Sequence, residues 1–198
     1  MPLDFTPVRE NQIKLADFAK TVTLNDLREL ANAQIDTILG IIADLDDADI
    51  TFDPLDPLAD DPYATEGEEK IGWSIAHLVV HVTASSEEWI TFGSILARGI
   101  PYPKEPRLRY ETDWKSVTTK AQCVQRLEES RRIRLGYLDT FPDVPFLDVT
   151  REMSENFLTK FGECNAMVAI FLGLMHEDGH FAQFHDVHDQ AVATKAKA

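Results

Sequence analysis

The sequence predicts an all-α fold, a four-helix bundle with long loops, and three observations carry that prediction. Four segments, roughly 24–44, 73–98, 119–141 and 161–190, repeat apolar residues at helical spacing. Prolines interrupt the chain between them: Pro54, Pro57 and Pro62, then Pro101, Pro103 and Pro106, then Pro142 and Pro145. Alternating runs of Val, Ile and Thr are nearly absent, and there is no Asn-Gly hairpin turn.

Residues 1–22 read as an N-terminal extension and lack the apolar centre of a signal peptide. The first helix runs from about Leu24 to Asp44, with Leu27, Leu30, Ala31, Ile35, Ile38 and Ile42 on its apolar face. Thr23 is placed to cap it, and Asp26 suits the positive end of the helix dipole. Residues 44–70 form a loop rich in Asp and Glu, expected to be solvated. Its oxygen ligands suggest calcium, but the D-x-D-x-D-G-x5-E spacing of a calcium loop is missing. The second helix opens near Trp73, capped by Gly72 or Ser74, and stops at about Arg98 before the prolines.

The third helix, about Thr119 to Phe141, carries a stripe of Val124, Leu127, Ile133, Leu135 and Leu138. Its Arg126, Arg131, Arg132 and Arg134 read as a solvated face paired with acids such as Glu128 and Glu129, or else as an anion-binding wall. Between residues 146 and 160 the run Leu147-Asp148-Val149-Thr150 is either a short strand or an extended linker. The fourth helix starts between Phe161 and Glu163 and ends near Gln190. It is the most apolar, which suits a central place. The bundle is thus expected over 23–190, with 191–198 a flexible tail.

The chain has 198 residues, enough for one substantial core. Its net charge of -15 excludes nucleic acid, whose phosphates need a basic face, and disfavours an anionic membrane surface. The longest apolar run, Ala166 to Met175, is too short to cross a bilayer. Two cysteines, Cys123 and Cys164, are too few for a disulfide scaffold, and a reduced cytoplasmic setting is expected.

All six histidines fall in the second and fourth helices: His77, His81, His176, His180, His185 and His188. His176 and His180 lie four apart, which stacks two rings on one helix face within reach of one ion. The residues around His81 (Leu78 to Val82) and the run just before His176 (Phe171 to Met175) are apolar, so the rings are expected to face inward. Two neutral imidazoles in a core leave nitrogens in need of partners, and a divalent ion satisfies both. A third ligand must come from another helix, and His81 is the natural donor. The expected metal ligands are therefore His81, His176 and His180, an open set of the catalytic type. His185 and His188 read as surface residues. His77 is read as hydrogen-bonding a ligand, with fourth ligand or packed residue as alternatives.

His176-Glu177-Asp178-Gly179-His180 also matches H-E-x-x-H, the zinc metalloprotease pattern. The longer protease form fails because Gln183 stands where Gly is required, so a metallopeptidase is a minor alternative.

The segment from Gly72 to Val82, with Trp73-Ser74 followed by His81, resembles the second-helix motif of the DinB/YfiT-like superfamily. His176, His180 and Gln183 resemble its H-x3-H-x2-Q on the last helix. The resemblance implies a four-helix bundle with a three-histidine site at one end, holding nickel, zinc, iron or manganese, often in a homodimer. It implies a thiol-dependent S-transferase, an isomerase using a low-molecular-weight thiol, or a metal-dependent hydrolase. Related sulfoxide synthases carry H-x3-H-x-E, and Ala182 stands here instead of that Glu. His77 departs from the acidic residue common at its position, and the acidic 44–70 loop is unusual.

The function expected is a divalent-metal-dependent enzyme acting on a small-molecule substrate, with the ion as Lewis acid. No catalytic acid or base is assigned. Glu177 leaves the helix about 100° from His176 and points elsewhere, whereas Glu88 returns to the face of His81. The arginines of the third helix are candidates for holding a carboxylate. The alternatives are a non-catalytic, stress-linked metal-binding protein and a plain structural bundle.

Overall fold

The structure, a computed structural model, describes residues 3–57, 59–60 and 66–196. In chain order it contains α1 (Thr6–Arg9), α2 (Leu15–Phe18), α3 (Leu24–Ile41), α4 (Asp47–Ile50), α5 (Ile75–Ala97), α6 (Lys120–Asp139), β1 (Thr150–Arg151), α7 (Glu155–Phe161), β2 (Cys164–Asn165), α8 (Ala166–Gly179) and α9 (Phe181–Lys195). Among the described residues the fold is all-α apart from one small antiparallel pairing, Thr150 with Asn165 and Arg151 with Cys164.

Side-chain caps set where the long helices begin. Thr23 and Asp26 form a reciprocal capping box at α3, and Thr119 and Gln122 form another at α6. Ser74 caps α5, and Asn165 accepts from two backbone N–H groups at the start of α8.

The bundle has two apolar cores with a polar layer between them. One holds Leu27, Leu30 and Ala31 of α3, Ile90, Phe92 and Leu96 of α5, Leu138 of α6 and most of α8. The other holds Ile35, Ile38 and Ile41 of α3, Ile75 to Val82 of α5, Cys123 and Leu127 of α6, and Phe184 and Val187 of α9. Each long helix changes core at buried polar residues: Gln34 in α3, Ser85, Ser86 and Glu88 in α5, Ser130 and Arg134 in α6, and Glu177 at the end of α8.

This order of cores fixes the topology. α3 and the α8–α9 pair run from the first core to the second, whereas α5 and α6 both run back. Parallel neighbours cannot be joined by a tight turn. The chain from 99 to 119 therefore returns along the bundle, crossing the polar layer, before α6 begins. An α5 of 23 residues is about 34 Å long. The returning segment reaches that far easily when extended, at about 3.3 Å per residue.

α5 and α8 cross closely at two glycines. A Cβ on Gly93 would lie 2.5 Å from Ile170 Cγ1 and 2.8 Å from the Ala166 carbonyl oxygen. A Cβ on Gly173 would lie 3.0 Å from both Ser86 Cα and Trp89 Cβ.

Several expectations are corrected. The fourth helix does not begin at 161–163. α7 ends at Phe161, Gly162 follows at φ 85°, and α8 begins at Ala166. It is also not continuous, because helical bonding shortens at His180, whose N–H reaches the Glu177 carbonyl, and α9 starts afresh. The ambiguous 147–150 stretch contributes only Thr150 to a strand.

In α6, Ile133 is 41% exposed and Arg134 is buried. Stepping by three and four from Leu127 to Leu138 passes through Ser130 and Arg134, so Ile133 falls one residue off the inner stripe. The N-terminal segment is docked by Phe5, Val8 and Leu15. The acidic loop is anchored by α4, with Leu45 and Ile50 buried, while its residues 58 and 61–65 lie outside those described. α9 runs on to Lys195, past the expected start of a tail at 191, and Ala191 is buried.

Candidate metal centre

The α8–α9 bend and the first half of α5 bring three imidazoles together beside the polar layer. His81 Nε2 lies 3.2 Å from His176 Nε2, and His180 Nε2 lies 3.4 Å from the same atom. One ligand atom from each ring falls within 4.8 Å of the others. Four nitrogens placed tetrahedrally at the usual zinc–nitrogen distance of about 2.0–2.1 Å are about 3.3–3.4 Å apart. The spacing here therefore suits a common ion.

Protonation points the same way. His180 Nδ1 lies 2.9 Å from Gln183 Oε1, an acceptor, so Nδ1 carries the hydrogen and Nε2 offers a lone pair. His176 Nε2 faces two neighbouring nitrogens, yet a neutral ring has one hydrogen to give. Its Nδ1 is buried and has no hydrogen-bond partner among the described residues. Burial, aided by the nearby His180, His81 and Arg109, pushes the His176 pKa down to about 3. Burial likewise lowers that of His180. Both rings are thus neutral at ordinary pH, the form that binds metal.

The returning segment covers the cluster. Arg109 Nη2 donates to the His81 carbonyl oxygen at 3.0 Å and lies 3.0 Å from His81 Nδ1. Glu111 Oε1 is 3.5 Å from the same Nδ1, and Glu111 Oε2 accepts from Arg109 Nε at 2.6 Å. Burial alone would raise the Glu111 carboxyl, but hydrogen bonds from His81 and Arg109 and the charge of Arg109 outweigh it and hold its pKa at about 2.

Trp73 packs against His81 and His180, with ring centres 4.4 and 5.8 Å away. His77 stays outside the cluster. Its ring is stacked between Trp73 at 4.4 Å and Trp114 at 4.8 Å, the latter supplied by the returning segment. A cavity of about 570 Å³ opens on His81 and His176, walled by Trp73, Trp89, Trp114 and Ser85 and by the charged side chains of Arg107, Arg109, Glu111 and Lys115.

Other expectations fare differently. His185 is exposed, and His188 sits between Asp44 at 3.0 Å and Asp189 at 2.9 Å, away from the cluster. Glu88 does not approach the site as expected. It is buried, and Arg107 holds both of its oxygens. Arg126 pairs with Glu87, and Arg131 with Asp36 and Glu128. Arg134, expected on a solvated face, is fully buried and forks onto Glu177, whose carboxylate also accepts from Ser86. Glu177 does point away, as expected. A general-base role on the H-E-x-x-H pattern would require that carboxylate to leave its buried partners.

The cations on the cavity wall come from Arg107, Arg109 and Lys115, not from the third helix. Sequence reasoning missed them, along with Glu111 and Trp114. They sit in an irregular linker, where spacing carries no facing information.

A family model of the DinB superfamily matches residues 30–184, most of the chain. The chain belongs to the DinB superfamily. That span takes in the bundle from α3 to the start of α9 and contains His81, His176 and His180. As a DinB-like chain it combines the expected all-α fold with a histidine cluster that could hold a metal ion. No curated protein and no solved structure matches it. Among the described residues no helix is long and apolar enough to cross a membrane.

Proposed function

We propose that this DinB-like chain is a divalent-metal-dependent enzyme, a thiol-dependent S-transferase or a hydrolase, with His81, His176 and His180 as the metal ligands. One observation carries the reading: three imidazoles are spaced for a single ion, and two of them, His81 and His176, line an open cavity. A structural zinc site is usually closed by four protein ligands, whereas a catalytic one keeps a position for water or substrate. A divalent ion held there, whether zinc, nickel, iron or manganese, supplies a Lewis acid that lowers the pKa of a thiol or water.

The chain's own groups supply the rest. Neutral His176 and His180 offer lone pairs without first losing protons. Trp73 and Trp89 form apolar walls that limit water at the reacting face. Arg107 and Arg109 set guanidinium charge on the cavity wall, which suits the carboxylates of a low-molecular-weight thiol or a small acidic substrate.

The test is turnover of an electrophile such as monochlorobimane with several thiols, and of a panel of esters, by metal-stripped and metal-restored protein. Activity that returns with metal and is absent in His176→Ala supports the reading. Stoichiometric metal without turnover on any thiol or ester would instead identify a non-catalytic metal-binding protein.

A further inference from the structure

We propose that Glu111, reaching in from the segment that returns along the bundle, is a positioning residue that fixes the His81 ring for metal binding. The proposal rests on the three-histidine reading above. His176 and His180 sit one turn apart across the α8–α9 bend, so their relative placement is set by local backbone. His81 comes from α5 and must be aimed separately. Binding through Nε2 requires the hydrogen on Nδ1, and that hydrogen needs an acceptor. Glu111 Oε1, at 3.5 Å, stands at the outer edge of hydrogen-bond reach.

Neighbouring contacts support this assignment. Arg109 Nε holds the other Glu111 oxygen at 2.6 Å, which orients the carboxylate. Arg109 Nη2 bonds the His81 carbonyl oxygen at 3.0 Å, so one ion pair brackets both the ring and the backbone of this ligand. Nη2 also lies 3.0 Å from Nδ1 and carries two hydrogens, one of them given to the carbonyl. Were the other accepted by Nδ1, the ring hydrogen would sit on Nε2 and block the ion, so binding through Nε2 puts the hydrogen on Nδ1 and makes Glu111 its acceptor. Among the described residues, the other acids of the cavity are engaged elsewhere, Glu68 by the Lys115 ammonium and Asp113 by the N–H of Lys115, and Glu88 is held by Arg107. His180 has its own orienting acceptor in Gln183.

The experiment is zinc competition against a chromophoric chelator for wild type, Glu111→Ala, Glu111→Gln and Lys115→Ala, with cobalt(II) visible spectra alongside. Lys115→Ala is the control, because it breaks the tie of the same segment to Glu68 without touching His81. The expected result is zinc binding weakened about 10–100-fold in Glu111→Ala. A smaller loss is expected in Glu111→Gln, which keeps an acceptor oxygen, and wild-type affinity in Lys115→Ala. The cobalt spectrum should change in Glu111→Ala alone among the Ala variants.

Equal affinity in wild type and Glu111→Ala overturns the proposal and leaves the metal site standing. That result would mean that His81 Nδ1 accepts from Arg109 and needs no carboxylate. Equal losses in Glu111→Ala and Lys115→Ala also overturn it, because the segment would then act only as a cover. Failure of wild type to bind zinc would remove the three-histidine reading itself.

Discussion

Glu177 and Arg134 give the sharpest stability prediction. Both side chains are 0% exposed in the polar layer. Arg134 Nη1 and Nη2 reach the two Glu177 oxygens at 3.1 and 2.5 Å, Arg134 Nε donates to Ser130, and Ser86 donates to Glu177. Glu177→Leu leaves a buried guanidinium with Ser130 and no counter-charge. Arg134→Met leaves a buried carboxylate with Ser86. Removing one partner of a buried pair costs about 3–5 kcal/mol, because the survivor stays desolvated.

The double variant removes both charges and fills the layer with apolar groups, a change that is often neutral or stabilising. The two substitutions should therefore be strongly non-additive, with a coupling of several kcal/mol. For a chain of this size each kcal/mol moves Tm by roughly 2–4 °C, so either single variant should melt at least about 6 °C lower. The assay is urea unfolding of metal-stripped protein followed by circular dichroism. A single variant within about 1 kcal/mol of wild type, or additive losses in the double variant, would refute the reasoning. Below its own melting temperature Glu177→Leu should still bind zinc, since its carboxylate is not a ligand.

Two further outcomes follow from local geometry. Gly93→Ala should destabilise by about 1–3 kcal/mol, because its Cβ meets Ile170 and the Ala166 carbonyl, whereas Gly136→Ala meets nothing and should stabilise by about 0.5–1 kcal/mol; equal effects in thermal melts would contradict the close α5–α8 crossing. His188 should titrate above its ordinary value of 6.5, raised chiefly by its hydrogen bond to Asp189 and also by Asp44, which together outweigh the opposing effect of burial. Its stabilising contribution is complete below about 6.5 and fades as pH rises through the raised value. NMR titration should show its pKa falling in Asp44→Asn, and an unmoved value would count against that contact.

The long helices were legible because their caps and apolar spacing are local. Thr23, Ser74 and Thr119 stand where the helices begin, and the i, i+4 pair His176 and His180 survives the bend between α8 and α9. What failed was facing. A shift of one residue in α6 exchanged Ile133 for Arg134, because a buried ion pair looks like surface charge until its partner on α8 is known. The bend at His180 was hidden because helical apolar spacing continues on both sides of it, through Phe171 and Leu174 before and Phe184 and Val187 after. Arg109, Glu111 and Trp114 were invisible for another reason: they lie in a segment without periodicity. They reach the histidines only because α5 and α6 run parallel and force the chain back across the polar layer.

The central claim is that imidazoles from α5 and from the α8–α9 bend share one ion. X-ray absorption at the metal edge of zinc-loaded protein tests it directly. The account predicts about one equivalent of zinc with imidazole nitrogens at roughly 2.0–2.1 Å and a further light ligand, all lost in His176→Ala. A coordination sphere without imidazole, or zinc retained unchanged by His176→Ala, would contradict it.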